Sequence, residues 1–268
     1  MKISKTLGLI GVGNMGAAIL EGLFAKQLIK HGQVWVYDKF TEKAREFSQF
    51  EKVRLAASNR ELVQKSRVVL LAIKPQDLVQ TAQEFKSVLT KEHTVISILA
   101  GTPVGKIKSI LGPKPHVIRA MPNLGAKAGA SMTVLSGKDP EGLKTAEQIF
   151  SGCGAVMHLD EKHFDLVTAI SGSGPAYFFL LMELLVEAGI KNGIPREKAK
   201  LLAVQTALGA GLLAKASADA PDELRRKVTS KGGTTEAAFK VFESKQLAKI
   251  IHQGIEAAFQ RGKELASF

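Results

Sequence analysis

The chain is poor in cysteine, with one, Cys153, among 268 residues. A single thiol excludes an intrachain disulfide framework and leaves no zinc-ligand spacing. It fits a reducing compartment, and a cytoplasmic location is expected. The six histidines are scattered without metal-ligand spacing, so no metal is expected. Stacking aromatics are scarce too, with one tryptophan and two tyrosines. The 37 basic residues outnumber the 25 acidic ones for a net charge of +12, but the lysines are spread along the chain and form no dense block. These features argue against a nucleic-acid partner. A basic surface that favours anionic small molecules is the simpler account. No basic-apolar-small leader opens the chain. The longest apolar stretch, Ala176 to Ile190, is broken by Glu183 and Glu187. It falls short of the roughly 20 residues of a membrane span and reads as a helix buried on most sides, with no membrane partner.

What is present is core-forming material. The chain is 45% hydrophobic and 23% charged. Its length allows one large or two modest domains, at about 150 residues per domain. Up to about residue 160, strand-like and helix-like segments alternate. Thr6–Ile10, Gln33–Tyr37, Arg54–Ala56, Val68–Ile73, Thr94–Leu99, His116–Met121, Ser131–Leu135 and Ala155–Leu159 read as strands. Ala17–Leu28, Thr41–Phe50, Asp77–Leu89, Pro103–Leu111 and Pro140–Phe150 read as the helices between them. Such alternation predicts an α/β fold: a Rossmann-type, doubly wound, mostly parallel sheet. Beyond it the strands stop. Pro175–Lys191, Arg196–Ala216, Asp222–Thr229, Thr234–Lys240 and Gln246–Ala266 read as helices, with Pro175, Pro195 and Pro221 near helix starts. The expected division is a dinucleotide-binding domain over 1–160 and an all-helical domain over 161–268.

Gly11-Val12-Gly13-Asn14-Met15-Gly16 matches G-x-G-x-x-G, with a strand leading in and an amphipathic helix leading out. Gly11 permits a tight turn, Gly13 lets backbone approach a pyrophosphate, and Gly16 lets helix and strand pack closely. The pyrophosphate would rest on free N–H groups at the helix start. The alternative is a plain glycine turn. Asp38 follows roughly 20 residues later, where an acidic residue hydrogen-bonds the 2′-hydroxyl of NAD and repels the 2′-phosphate of NADP. Lys39 beside it partly neutralises that charge; a solvated turn is the rival reading of Asp38. Ala72-Ile73-Lys74-Pro75 and Ala100-Gly101 end further strands, where ligands border such sheets. Lys74 either faces that crevice or merely ends a strand.

Two glycine-rich segments mark the helical part. Ser171-Gly172-Ser173-Gly174-Pro175 reads as a capped helix start, in preference to a nucleophilic serine, because no elbow setting or partner histidine accompanies it. Thr229-Ser230-Lys231-Gly232-Gly233-Thr234-Thr235-Glu236 leads into a helix whose exposed N–H groups suit a carboxylate. An ordinary helix cap is an equal reading of those residues.

Together the segments IGVGNMG (10–16), LAIKP (71–75), ISILAG (96–101), RAMPN (119–123), VTAISGSGPAY (167–177), GIPREKA (193–199) and VTSKGGTTEAAF (228–239) resemble the pyrroline-5-carboxylate reductase family over nearly the full length. The resemblance implies a helical C-terminal domain that builds a homodimer, which in the family often assembles into a decamer. It implies reduction of the cyclic imine 1-pyrroline-5-carboxylate to L-proline with NADPH or NADH, the last step of proline synthesis. Carried over by position, Ile10, Gly11, Val12, Gly13, Asn14, Met15, Gly16, Asp38, Lys39, Asn59, Ala72, Ile73, Lys74, Pro75 and Ala100 would line the cofactor. Glu161, Ser230, Gly232, Gly233, Thr234 and Thr235 would hold the imino-acid substrate. Thr235 would orient the ring nitrogen, with no dedicated acid in view. The sequence departs from the family at Lys231, usually proline, at Leu124-Gly125, usually Thr-Pro, and at Lys227, an asparagine in some members.

Two other readings remain at this stage. One is another small-substrate dehydrogenase of the same architecture, since fold alone does not fix substrate. The other is a non-catalytic NAD(H) sensor. The stretch Ala176–Met182, apolar on all helix faces, exceeds what one small helical domain can bury and independently predicts a homo-oligomer.

Overall fold

The structure is a computed structural model and describes residues 3–267. By packing, the chain forms two compact units. The first comprises the segment up to Gly172 together with the segment from Ala258 on; the second is Ser173–Ala257. The expected division after residue 160 coincides instead with the end of the strand pattern, since the last strand stops at His158.

The first unit carries one eight-stranded sheet. Its strands are β1 (Leu7–Ile10), β2 (Val34–Tyr37), β3 (Arg54–Leu55), β4 (Val68–Leu71), β5 (Thr94–Ser97), β6 (His116–Met121), β7 (Ser131–Gly137) and β8 (Gly154–His158). Their spatial order is β3-β2-β1-β4-β5-β6-β7-β8. Among the described residues only the β6–β7 pair is antiparallel, with Ile118 opposite Gly137 and Met121 opposite Val134. The helices of this unit are α1 (Asn14–Ala25), α2 (Thr41–Glu51), α3 (Asn59–Lys65), α4 (Leu78–Phe85), α5 (Val104–Leu111), α6 (Pro140–Phe150) and the short α7 (Phe164–Val167).

Strand periodicity sorts the core into two layers. Leu7, Leu9, Val68 and Leu70 pack with Ile19, Leu20 and Leu23 of α1 and Phe150 of α6. Ile10, Val69 and Leu71 pack with Leu62 of α3, Phe85 of α4 and Ile107 of α5. All four β4 side chains are fully buried, as a continuous apolar run in a doubly covered strand requires. Each such side chain contributes about 1.5–3 kcal/mol on burial. Cys153 lies in the first layer, where burial pushes its thiol up to about 11 and leaves it unreactive.

Several elements differ from the sequence-based expectation. Helix α1 begins at Asn14, three residues early, so the glycine turn feeds it directly. Helix α3 was not expected. Ser58 caps it by accepting the Glu61 N–H at 3.1 Å, and the Glu61 carboxylate accepts the Ala57 N–H at 2.7 Å. The helix expected over 77–89 resolves into a 3₁₀ turn Pro75–Asp77, then α4, then a turn Lys86–Val88. Residues 161–172, within the expected all-helical domain but given no element of their own, are helical and include a π-helical turn, Thr168–Gly172.

The second unit contains α8 (Gly174–Lys191), α9 (Arg196–Ala216), α10 (Pro221–Lys227), α11 (Thr234–Ser244) and the start of α12 (Leu247–Ser267). Small residues join α8 to α9: a methyl on Gly189 would sit 2.9 Å from Ala199 Cβ, and Ala199 and Ala203 are buried. The large side chains point away. Phe178 is 64% exposed, and Phe179, Leu180, Leu181, Leu201, Leu212 and Ile250 are also exposed. The expectation that α8 is buried on most sides therefore fails for the single chain. The expectation that the apolar stretch is too short also changes: Glu161–Lys191 is helical enough to hold a window long and apolar enough to cross a membrane, with 11% of it buried. The end of α12 belongs to the first unit. There Leu265 lies against Gly101, and Gly262 lies against Asp165.

Candidate cofactor cleft and glycine-rich turn

Strand β1 has β2 on one side and β4 on the other, so the chain runs outward from β1 through β2 to β3 and then crosses back to continue on the opposite side at β4. That switch point opens a crevice, the usual ligand position in such sheets. Backbone bonds carry the strands into its floor: Gly11 N–H donates to Tyr37 O at 2.8 Å, and Ala72 N–H to Ile10 O at 2.9 Å. Gly11 has φ +98°, and a methyl there would stand 2.6 Å from the Ala72 carbonyl oxygen. Gly13 is extended, and a methyl there would meet nothing within 4 Å. A methyl on Gly16 would come within 2.4 Å of Gly11 O, so this helix turn rests directly on the loop. No side chain caps α1 and no acid stands in its first turn. The positive end of the helix dipole is therefore open to an anion beside Gly13.

The crevice has two chambers that share Ala72, Ile73 and Lys74, an outer one toward the β2 edge of the sheet and an inner one toward β5 and β6. The outer one, of about 410 Å³, is lined by Ile10, Gly11, Gly13, Asp38, Lys39, Asn59, Ala72, Ile73 and Lys74. The inner one, of about 360 Å³, is lined by Met15, Ala72, Ile73, Lys74, Pro75 and Ala100 among others. These are residues the sequence assigned to a cofactor. Val12, Asn14 and Gly16 line neither chamber. Val12 is buried and uses its N–H on Asp38, and Asn14 Oδ1 accepts from Lys127 Nζ at 3.2 Å.

Asp38 is held by its own backbone surroundings. Oδ2 accepts the Val12 N–H at 2.7 Å and Oδ1 accepts the Phe40 N–H at 2.9 Å. Lys39 Nζ pairs with Asp77 Oδ2 at 2.9 Å. Asn59 donates from Nδ2 to Glu84 at 3.0 Å, while its buried Oδ1 has no partner. An orphaned acceptor in the chamber wall, an open face at Gly13 and an uncapped helix start together fit a dinucleotide.

Sequence reasoning missed other lining residues. Asp77, Gln80, Thr81 and Glu84 line the outer chamber at i, i+3, i+4, i+7; that polar stripe was readable as one helix face. Met121, the last residue of β6, and Pro122, Asn123 and Leu124 beyond it line the inner chamber, the same strand-end position as Ala100. Asn123 ties this wall together: Oδ1 accepts the Gly125 N–H at 3.0 Å and Nδ2 donates to Ser171 Oγ at 3.1 Å. Leu124-Gly125 is thus accommodated in a 3₁₀ turn.

The residues expected to hold substrate fall in both units. Glu161 lies in the first. Its Oε1 accepts the Val104 N–H at 2.7 Å and Arg119 Nη1 at 3.2 Å. Arg119 is buried over the Phe164 ring, and burial pulls its guanidinium down from its ordinary value while Glu161 opposes the shift. In the second unit, Ser230, Gly232, Gly233, Thr234 and Thr235 form a tight turn into α11. Gly233 N–H donates to Ser230 O at 3.0 Å, and Gly232 N–H donates to Glu236 at 3.1 Å. No side chain caps α11, so its first N–H groups and the Thr234 and Thr235 hydroxyls remain available to a carboxylate and a ring nitrogen. Lys227, one of the departures from the family, pairs with Asp219.

The chain is similar to known proteins in sequence and in fold. A family model described as pyrroline-5-carboxylate reductase dimerisation matches residues 161–265. One described as NADP oxidoreductase, coenzyme F420-dependent, matches residues 6–101. A pyrroline-5-carboxylate reductase from Pseudomonas aeruginosa is 40% identical over 264 residues, 97% of this chain and 96% of that protein. A solved pyrroline-5-carboxylate reductase from Coxiella burnetii has a TM-score of 0.91 at 36% identity, covering 98% of this chain and 99% of that one. The pyrroline carboxylate reductase of Plasmodium falciparum, solved with NADP bound, has a TM-score of 0.88 at 28% identity, covering 99% and 100%. Alike over its full length in sequence and in fold, the chain belongs to the pyrroline-5-carboxylate reductase family.

Proposed function

We propose that this chain reduces the cyclic imine 1-pyrroline-5-carboxylate to L-proline with NADPH or NADH, the last step of proline synthesis. Family membership supplies the substrate. The observation that carries the cofactor is the open face of Gly13 beside an uncapped α1.

Reduction of the imine adds a hydride to the ring carbon and a proton to the ring nitrogen. The bound nicotinamide cofactor supplies the hydride. The protein has to hold, orient and exclude water. Gly13 and the first N–H groups of α1 would take the pyrophosphate, and Asn59 Oδ1 would accept from the adenosine end. Ala100, Met121 and Leu124 would enclose a planar ring in the inner chamber. The backbone at Gly232–Thr234 would take the substrate carboxylate, and the Thr235 hydroxyl would hydrogen-bond the ring nitrogen. Glu161, tied to Arg119 and Val104, would fix the start of α5 behind Ala100.

The subunit is part of a homodimer built from the exposed faces of α8, α9 and α12, which would give the apolar surface of α8 a protein partner in place of a bilayer. Glu183 and Glu187 on that helix, and the dimerisation match over the same segment, support this reading. A cytoplasmic location fits the free thiol of Cys153.

Oxidation of NADPH, and separately of NADH, with 1-pyrroline-5-carboxylate tests the reaction. Thr235→Val is expected to lower turnover by roughly 10–100-fold, the equivalent of the about 1–3 kcal/mol lost when one buried hydrogen-bond partner is left unmade, while cofactor affinity changes little. Wild-type turnover in that variant removes Thr235 from the site. Cofactor binding without turnover of any imine would favour a sensor.

A further inference from the structure

Lys39 follows β2 and Asp77 follows β4, so their ion pair joins the two strand ends that flank β1. Both residues line the outer chamber, together with Asp38 and Lys43. Building on the cofactor reading above, we propose that Lys39 distinguishes a 2′-phosphorylated adenosine ribose from a plain one, and that Asp77 competes with the phosphate for it.

An acidic residue at the position of Asp38 ordinarily turns to the ribose hydroxyls and repels a phosphate. Here each carboxylate oxygen already accepts a backbone N–H, from Val12 and from Phe40. Two of its roughly four acceptor sites brace the glycine loop and the turn after β2, and these donors offset part of its charge, which weakens its repulsion of a phosphate. Discrimination passes to its neighbour. Lys39 is 61% exposed on its side chain and lies 5.5 Å from the Phe40 ring centroid, so its ammonium is reachable from the chamber mouth. Exposed ion pairs are weak. A phosphate near charge −2 with three acceptor oxygens offers Lys39 a stronger partner than one carboxylate does. With a plain ribose Lys39 stays on Asp77, and the mouth carries no uncompensated charge from that pair. The Lys39–Asp77 pair therefore sets how far the chain prefers NADPH over NADH, and Asp77 restrains that preference.

The test uses 2′,5′-ADP and 5′-AMP, which carry the ribose end of the two cofactors and no nicotinamide. Their dissociation constants are measured by calorimetry on the full chain at low and moderate salt. Lys39→Gln is expected to cut the ratio of 2′,5′-ADP to 5′-AMP affinity about tenfold, the loss of one charge-assisted contact, and Lys39→Arg to keep it. Asp77→Asn is expected to raise the ratio about threefold by releasing Lys39. In the double variant Asp77→Asn should add nothing, since its effect runs through Lys39. All these differences should shrink as salt rises. An unchanged ratio in Lys39→Gln, with both probes bound, overturns this inference and leaves the reductase reading intact. An equal gain from Asp77→Asn with and without Lys39 overturns the competition. Failure of the wild-type chain to bind either probe overturns the cofactor cleft and this inference together.

Discussion

Gly11 and Gly13 stand two residues apart in one turn and should respond to a methyl group in opposite ways. At Gly11 the backbone has φ +98° and a methyl would strike the Ala72 carbonyl at 2.6 Å. Gly11→Ala should cost about 2 kcal/mol or more of stability, in line with strained backbone positions. Gly13 is extended and faces open space. Gly13→Ala should keep stability within about 0.5 kcal/mol yet weaken cofactor binding more than tenfold, because the methyl occupies the ground a pyrophosphate needs. Denaturant unfolding and cofactor titration of the two variants separate these effects. A Gly13→Ala protein that binds cofactor as the wild type does would move the pyrophosphate elsewhere. The glycine spacing was legible in the sequence because Gly11 answers to a backbone demand and Gly13 to the approach of a pyrophosphate, at a fixed separation. Asp38 was legible only as a position. That both its oxygens turn to Val12 and Phe40 depends on how β1 and β2 lie side by side, which no spacing encodes.

Among the elements, most strands were readable because a continuous apolar run such as Val68–Leu71 has few other fates. Helix α3 was missed although its start signal, Ser58 followed by Glu61, was present; a seven-residue helix offers too little apolar period to be seen by pattern alone. The cap makes a measurable claim. Ser58→Ala should cost about 1 kcal/mol, read as a shift in the urea midpoint, and Ser58→Asp should restore most of it. No shift on Ser58→Ala would mean that packing of Leu62 and Val63 holds α3 unaided. The 161–172 segment was missed for a different reason. Its helical turns are anchored by distant partners, Arg119 and Val104 on Glu161 and Asn123 on Ser171, and not by local propensity. Met121 and Asn123 lie at the end of β6, so the strand-end rule that found Ala100 pointed to them as well and had only to be applied to that strand.

At the scale of the whole molecule, the second unit exposes more apolar side chains on α8 and α9 than a lone subunit sustains in water. Light scattering should give at least twice the 28.8 kDa of one chain. Phe178→Glu, at a side chain 64% exposed on α8, should shift the mass toward one chain and lower activity in parallel. A variant that stays associated would place the interface on another face. The arithmetic of apolar residues foresaw the association, whereas the sorting of small residues inward and large ones outward became visible only with α8 laid on α9. The first unit is also discontinuous: its sheet ends at His158, but the stretch from Ala258, with Leu265 against Gly101 and Gly262 against Asp165, comes after the entire helical unit. During synthesis, a ribosome that has passed Gly172 has made every strand and still withholds the segment that backs the turn beside Ala100. Completion of the nucleotide-binding unit therefore waits on translation of the helices, and its last segment is the end of α12, the helix that both units share.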